Sequence, residues 1–226
     1  MGYQTDGKIS LFLNAGPDDA PVFTNGSPIK ANGADIVHVS AGNCGAPVPF
    51  VCDYNNDGKR DLLVGEGAVG NVYFYKNTNT DARPVLTAGV TLKVNGSTVL
   101  AVPTRAAPYV YDWDGDGKKD LLCGCGDGYV YFFKNTNNAA TPVYIAATKI
   151  RAQGADLNLG ALSRSVVRMS DWNGDGVDDL VCSSKFGVYW CRNTGQSHSP
   201  ILQATNALCE PYPATRKLKP IYTGDR

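Results

Sequence analysis

The stretch DWDGDGKKDLL, residues 112–122, sets four aspartates around a glycine turn and runs straight into an apolar segment. Asp112, Asp114, Asp116 and Asp120 take positions 1, 3, 5 and 9 of a loop whose position 6 is Gly117, where the backbone must turn sharply. Carboxylate oxygens at this spacing suit a hard cation, and calcium accepts many oxygen ligands in a relaxed geometry. Without a counter-ion the four carboxylates would repel one another, so the pattern predicts a metal loop rather than a bare acidic turn.

The same pattern occurs three times. VPFVCDYNNDGKRDLLVGEG (48–67), APYVYDWDGDGKKDLLCGCG (107–126) and VVRMSDWNGDGVDDLVCSS (166–184) begin their loops at Asp53, Asp112 and Asp171, an interval of 59 residues each time. After each loop comes a glycine-containing turn and an alternating segment, VYFYKNT from Val72, VYFFKNT from Val130 and VYWCRNT from Val188. Alternation predicts strands with one face in a core and one outside. A basic residue and Asn-Thr close each of these strands, and Pro84, Pro142 and Pro200 open the next extended segment. The asparagines are expected to serve there as residues that tolerate a left-handed turn. PIKANGADIV (28–37), TLKVNGSTVL (91–100) and KIRAQGADLNL (149–159) then read as hairpins around Asn-Gly or Gln-Gly. These turns also account for the sequons at Asn25 and Asn95. The last copy, ILQATNALCEPYPATRKLKP (201–220), keeps the place but not the pattern, and its prolines predict a modified or edge element.

KISLFLNAGPDDAPVF (8–23) aligns with NVYFYKNTNTDARPVL (71–86), so the first unit starts after its loop position. KPIYTGDR (219–226) resembles a strand that enters a loop, with Asp225 as its first loop residue, so the two ends read as parts of one split unit. Four-stranded units at this period predict radial repetition, an all-β propeller of four units, three intact and one split between the termini. The units run over about 1–48 with 215–226, 49–107, 108–166 and 167–214, as one domain spanning 1–226. Closure within one chain, as a monomer, is the favoured reading. Half of an eight-unit ring completed by a homodimer is the alternative.

Composition agrees with a folded β protein. Of 226 residues 43% are hydrophobic, and 25 glycines and 13 prolines punctuate short strands and tight turns. No apolar run is long enough for a membrane span, and MGYQTDGK lacks the basic start and apolar core of a secretory signal. The formal charge is zero, but the ligand positions of the loops hold ten of the 21 acids, and three bound calcium ions would leave the chain at +6. That balance admits an anionic partner, although the lysines also read as solvated strand edges that discourage aggregation. Seven cysteines stand at non-repeating sites, with Cys123 and Cys182 where the first copy has Val64, and Cys52 where the others have Tyr111 and Ser170. They read as buried free thiols rather than a regular disulfide framework, and Cys123-Gly-Cys125 lacks the spacing of a zinc site.

The pattern D-x-[DN]-x-D-G-x-x-D-L followed by an apolar strand resembles the FG-GAP/VCBS repeat of integrin α-subunit propellers and bacterial surface or secreted proteins. The resemblance covers essentially the whole chain, though the FG-GAP letters are kept only in part, at Phe186-Gly187 and Gly65-Glu66-Gly67. It implies calcium held by side chains at positions 1, 3, 5 and 9 and by the backbone carbonyl of position 7. The first site would then be Asp53, Asn55, Asp57, Asp61 and the carbonyl of Lys59. The second would be Asp112, Asp114, Asp116, Asp120 and the carbonyl of Lys118; the third, Asp171, Asn173, Asp175, Asp179 and the carbonyl of Val177. Asp114 gives the middle loop one more negative ligand than its sisters, so it is expected to hold calcium most tightly.

The resemblance further implies an extracellular or cell-surface location and a non-catalytic module for binding, adhesion or scaffolding, with glycans or proteins as partners and no nucleic acid. Trp113 and Trp172 follow the first loop aspartate, with Tyr54 in the equivalent place. They are candidates for ligand stacking, against the more ordinary role of packing on the neighbouring unit. The enzyme-class rival is the propeller portion of a polysaccharide lyase. Against it, the chain has two histidines, His38 and His198, and its identifiable acid pairs are committed to the loops. A third reading is an engineered or excised propeller fragment with no activity of its own.

Overall fold

Val48–Cys52, Asp61–Gly65, Val72–Tyr75 and Val90–Thr91 hydrogen-bond in that order into an antiparallel four-stranded sheet. Ala107–Tyr111, Asp120–Gly124, Val130–Phe133 and Thr148–Lys149 form a second. Val166–Ser170, Asp179–Ser184, Gly187–Asn193 and Leu202–Ala207 form a third. The structure is a computed structural model and describes residues 6–39, 46–138, 140–160 and 164–207. Among these residues there is no helix, in agreement with the all-β reading, and no helix long and apolar enough to cross a membrane. The expected closing strand 219–226, Asp225, Cys44 and Cys209 lie outside the described residues.

The core lies between sheets. The second strands of the first two sheets are buried along their whole length, because alternate residues face different neighbours. Leu121 packs with Leu63 and Val72 of the first sheet, whereas Leu122 packs with Val167 and Leu180 of the third. A strand covered on both faces reads as a continuous apolar run, which is what DLLVG and DLLCG are. The same stacking overturns the expectation that the following strands leave one face outside. Tyr73 and Phe74 are half-buried between buried Val72 and Tyr75, and Tyr131 and Phe132 between buried Val130 and Phe133.

Sheets can stack this closely only where side chains are absent. A Cβ on Gly124 would lie 1.9 Å from the carbonyl oxygen of Ser165, and one on Gly65 would lie 2.0 Å from that of Ala106. Glycine therefore ends the second strand in the first two sheets, where the lead-in to the next sheet crosses it.

The hairpins predicted around Asn-Gly and Gln-Gly are present as Lys30–Ala31 with Ala34–Asp35, Lys93–Val94 with Thr98–Val99, and Arg151–Ala152 with Ala155–Asp156. Asn32, Asn95 and Gln153 at their tips have φ of 50°, 50° and 48°. Each tip amide donates to a carbonyl of the next sheet: Asn32 to Leu86 (2.9 Å), Asn95 to Tyr144 (2.7 Å) and Gln153 to Leu202 (2.9 Å). Every hairpin thus clasps the following unit. In the first unit Ser10–Leu11 pairs with Ser27–Pro28, and Ile9 and Ile36 pack on Leu62, Val64, Tyr75 and Leu86 of the first sheet.

Leu202–Ala207, from the copy with the altered sequence, is a six-residue strand, longer than the two-residue strands Val90–Thr91 and Thr148–Lys149 that hold its place in the other sheets. It carries a register shift opposite Cys191 and Asn193. Cys52, Cys123, Cys125, Cys182 and Cys191 are free thiols, and all but Cys52 are fully buried. Burial raises the thiols of Cys52, Cys123 and Cys125, and Cys182 is raised by its contact with Cys191 and by burial. Cys123 and Cys182 are core groups, as Val64 at the equivalent place in the first copy predicts.

Candidate metal centre

Each acidic loop joins the first strand of a sheet to its second, so the position-9 aspartate is the first residue of a buried strand. Asp61 is 1% exposed, and Asp120 and Asp179 are 0% exposed. One oxygen of each accepts a backbone N–H from the end of the third strand: Asn77 to Asp61 at 2.8 Å, Asn135 to Asp120 at 2.7 Å and Asn193 to Asp179 at 2.7 Å. The second oxygen of Asp61 accepts the Tyr54 N–H at 3.2 Å, and that of Asp120 accepts the Trp113 N–H at 3.0 Å. Oδ2 of Asp179 is buried and has no hydrogen-bond partner. Burial raises the Asp61 carboxyl, and burial with the neighbouring Asp114 and Asp116 pushes Asp120 up to about 6 against the pull of its N–H donors.

The position-1 aspartates organise the turn. Asp53 accepts the N–H groups of Asp57 (3.1 Å) and Gly58 (3.0 Å). Asp112 accepts those of Gly115 (2.9 Å) and Gly117 (3.0 Å), and Asp171 those of Gly174 (2.8 Å), Asp175 (3.1 Å) and Gly176 (2.9 Å). At position 3, Asn55 and Asn173 cap the amides of Asp57 and Asp175 at 3.0 and 2.8 Å. At position 5, Asp57, Asp116 and Asp175 accept the amides of Lys59, Lys118 and Val177 at 3.1, 3.0 and 3.0 Å. The carboxylates of Asp112, Asp114 and Asp116 each bring an oxygen within 4.8 Å of the others. The all-oxygen donor set that converges in the middle loop, and separately the buried Asp179 carboxylate of the third loop with its unmet oxygen, each fit a calcium ion.

Two sets of site residues were not legible as such in the sequence. Asn77, Asn135 and Asn193 are 0%, 0% and 2% exposed, and none has a left-handed backbone, contrary to the expectation for them. Their side chains are internal ties instead. The Asn135 carbonyl oxygen accepts the N–H groups of Asn137 and Val143, both at 3.0 Å, and Asn77 and Asn193 do the same one unit away on either side. The second set is the preceding basic residue. Lys76 reaches Asp57 at 3.1 Å, Lys134 reaches Asp116 at 3.5 Å and also contacts Asp114, and Arg192 reaches Asp175 at 3.3 Å. The hydrogen bond from Lys76, with those from Asn55 and Lys59, holds the Asp57 carboxyl below its usual range. Asp116, against partial desolvation, is held low by Lys118 and Lys134. Asp175 is lowered by Asn173, the Val177 N–H and Arg192.

The loops are tied to neighbouring units. Lys119 donates to the carbonyl of Asp53 and the side chain of Asn56, and the His198 ring is 2.7 Å from the carbonyl oxygen of Asp112. Tyr54 is buried against Phe74, with ring centroids 4.6 Å apart, and Trp113 packs on Phe132 at 5.9 Å. Both have the packing role, while Trp172 stays 44% exposed. His38 is buried, sharing a 2.9 Å hydrogen bond with the Tyr75 hydroxyl and lying 4.5 Å from the Tyr73 ring.

Residues 112–182, from the middle loop to the strand after the third, match the family model of the FG-GAP-like repeat. No curated protein matches the sequence. A solved lectin structure from Agrocybe aegerita, described as recognising non-reducing terminal N-acetylglucosamine, aligns at 16% identity with a TM-score of 0.47. The alignment covers 90% of this chain and 47% of the lectin, so the chain spans about half that protein's length.

Proposed function

We propose that this chain, whose residues 112–182 carry an FG-GAP-like repeat, is a calcium-stabilised β-propeller segment acting as a non-catalytic binding or scaffold module. The observation that carries the calcium reading is the buried position-9 carboxylate, present three times and left in Asp179 with an oxygen that no donor meets. A buried carboxylate oxygen without a partner is unfavourable unless a cation completes it. Asp53, Asn55, Asp57 and Asp61, with the Lys59 carbonyl, would hold one ion; Asp112, Asp114, Asp116 and Asp120, with that of Lys118, a second; Asp171, Asn173, Asp175 and Asp179, with that of Val177, a third. Bound calcium would neutralise each loop and fasten it to the second strand of its sheet. Because such ions bind the native state and not the unfolded one, chelation is expected to lower the melting temperature in one cooperative transition. An identical melt with excess calcium and with chelator refutes the metal reading.

We infer that the units continue as a ring closed within one chain. The support is the repeated clasp: Leu86 and Tyr144 are 8% and 1% exposed beneath it, whereas Phe23 at the corresponding place in the first unit is 64% exposed. We infer that a further hairpin takes that seat, from the same chain in a closed ring or from a second copy in the eight-unit ring. Light scattering with mass determination is expected to give a monomer, and a dimer mass would favour the eight-unit ring.

Saccharide binding is the ligand class we favour, because the rim of the third loop presents Trp172 as an exposed aromatic face. A glycan array on calcium-loaded protein tests it, with loss of signal expected in Trp172→Ala. Unchanged signal in that variant would refute the stacking role. The identifiable acid pairs are committed to the loops, so no depolymerisation of acidic polysaccharides is expected.

A further inference from the structure

The last residue before each Asn-Thr pair, namely Lys76, Lys134 and Arg192, stands at the end of a third strand, beside the loop of its own sheet. We propose that these three side chains are resident counter-ions of the acidic loops, competing with calcium for the position-5 carboxylate and levelling the affinities of the three sites. The inference rests on the calcium reading above.

The geometry makes the competition direct. In every loop one oxygen of the position-5 carboxylate is engaged by the position-7 amide: Asp57 by Lys59 at 3.1 Å, Asp116 by Lys118 at 3.0 Å, Asp175 by Val177 at 3.0 Å. The other oxygen, Oδ2, is the one that would ligate a metal, and on Asp57 it also accepts the Asn55 NH2 group at 3.2 Å. That same oxygen takes the basic side chain: Lys76 on Asp57 Oδ2 at 3.1 Å, Lys134 on Asp116 Oδ2 at 3.5 Å and Arg192 on Asp175 Oδ2 at 3.3 Å. Lys134 also bonds to Asp114 Oδ2, so its ammonium lies among the carboxylates that converge in the middle loop. An ammonium and a divalent ion repel each other across such distances, so the side chain must swing away or share its oxygen when the metal enters.

The count of charges extends the argument. The middle loop has four ligand carboxylates, one more than the others, but two ammonium groups contact it, since Lys118 also reaches Asp116 at 3.1 Å. The first loop has three ligand carboxylates and one ammonium on them, Lys76, because the Lys59 ammonium bonds to the Thr78 carbonyl and that of Lys119 to the Asp53 carbonyl and the Asn56 side chain. The third has three ligand carboxylates and Arg192, while its non-ligand Asp178 accepts a hydrogen bond from the Tyr111 hydroxyl. Each set of ligand carboxylates therefore keeps two negative charges beyond the cations in direct contact with it. The extra ligand Asp114 is offset by the extra lysine, and the three sites are expected to be similar in affinity rather than led by the middle one.

Calorimetric titration with calcium chloride of wild type, the single variants Lys76→Met, Lys134→Met and Arg192→Met, and the triple variant tests this. Removing one unit charge about 4 Å from a divalent ion is expected to tighten its site by up to roughly thirtyfold at low ionic strength, and the triple variant should shift all three sites together. Lys76→Arg, Lys134→Arg and Arg192→Lys keep the charge and are expected to bind like wild type. The chelator-treated triple variant is expected to melt below chelator-treated wild type, because its loops have lost their internal cations. Unchanged affinity in the triple variant overturns the counter-ion role while leaving the calcium reading intact. Absence of any calcium binding in wild type instead refutes the calcium reading itself.

Discussion

Replacing Asn135 with alanine should destabilise the protein substantially, though Asn135 touches no expected ligand through its side chain. The side chain is fully buried, its oxygen accepts the Asn137 and Val143 amides at 3.0 Å each, and its NH2 group donates to the Asn138 carbonyl at 3.4 Å. Alanine leaves two backbone donors without acceptors, each worth about 1–1.5 kcal/mol in partly covered surroundings, and adds a small void. The expected loss is about 2–4 kcal/mol, or roughly 10 °C in melting temperature for a chain of this size. The backbone N–H of Asn135 still faces Asp120 Oδ1, but the turn that aims it loses its internal tie, so calcium affinity should fall as well. Urea denaturation measured with calcium and with chelator gives both quantities, with an unchanged dependence on denaturant expected. Asn77→Ala and Asn193→Ala provide two further measurements of the same tie. A loss below about 0.5 kcal/mol at all three positions would refute the reasoning, because buried unmet donors are not that inexpensive.

His38 supplies the pH dependence. Its amide donates to the Gly7 carbonyl as those of Val102 and Leu159 donate to Gly70 and Gly128, so it fills a core position that is apolar in the other units. Burial lowers its pKa, partly opposed by Glu66. The folded chain therefore keeps His38 neutral where the unfolded chain already takes up a proton. Its contribution is fully present above pH 6.5 and is lost as pH falls below it, at up to about 1.4 kcal/mol per pH unit. In His38→Val the part of the acid slope just below pH 6.5 should flatten in denaturation curves; an unaltered slope would assign it elsewhere. Gly124→Ala would place a methyl carbon 1.9 Å from the Ser165 carbonyl oxygen, so the second and third sheets must separate. The variant is expected to lose more than about 3 kcal/mol or to fail to fold, as read by circular dichroism and denaturation, and wild-type stability would show that the sheets yield easily there.

The organisation of this chain was open to reading because it is written in local chemistry. Strand alternation, Asn-Gly turns and loop acids at odd positions each depend on residues a few places apart. A 59-residue interval between Asp53, Asp112 and Asp171 makes their repetition plain. From these came the all-β class, the four-stranded units, the hairpins at Asn32, Asn95 and Gln153, and the buried free cysteines. Tertiary structure decided what depends on which strand lies beside which. Asn135 is a side-chain tie rather than a turn residue because Val143 returns alongside it. Lys134 is a loop counter-ion because the third strand ends beside the loop that joins the first two strands of its own sheet. Tyr73 and Phe74 have no open face because sheets stack on both sides. His38 is a core residue because the first unit packs on the first sheet. Turn and strand signals are properties of neighbours in sequence, whereas burial, ion pairing and the titration of a histidine are properties of neighbours in space, and only the folded chain brings those together.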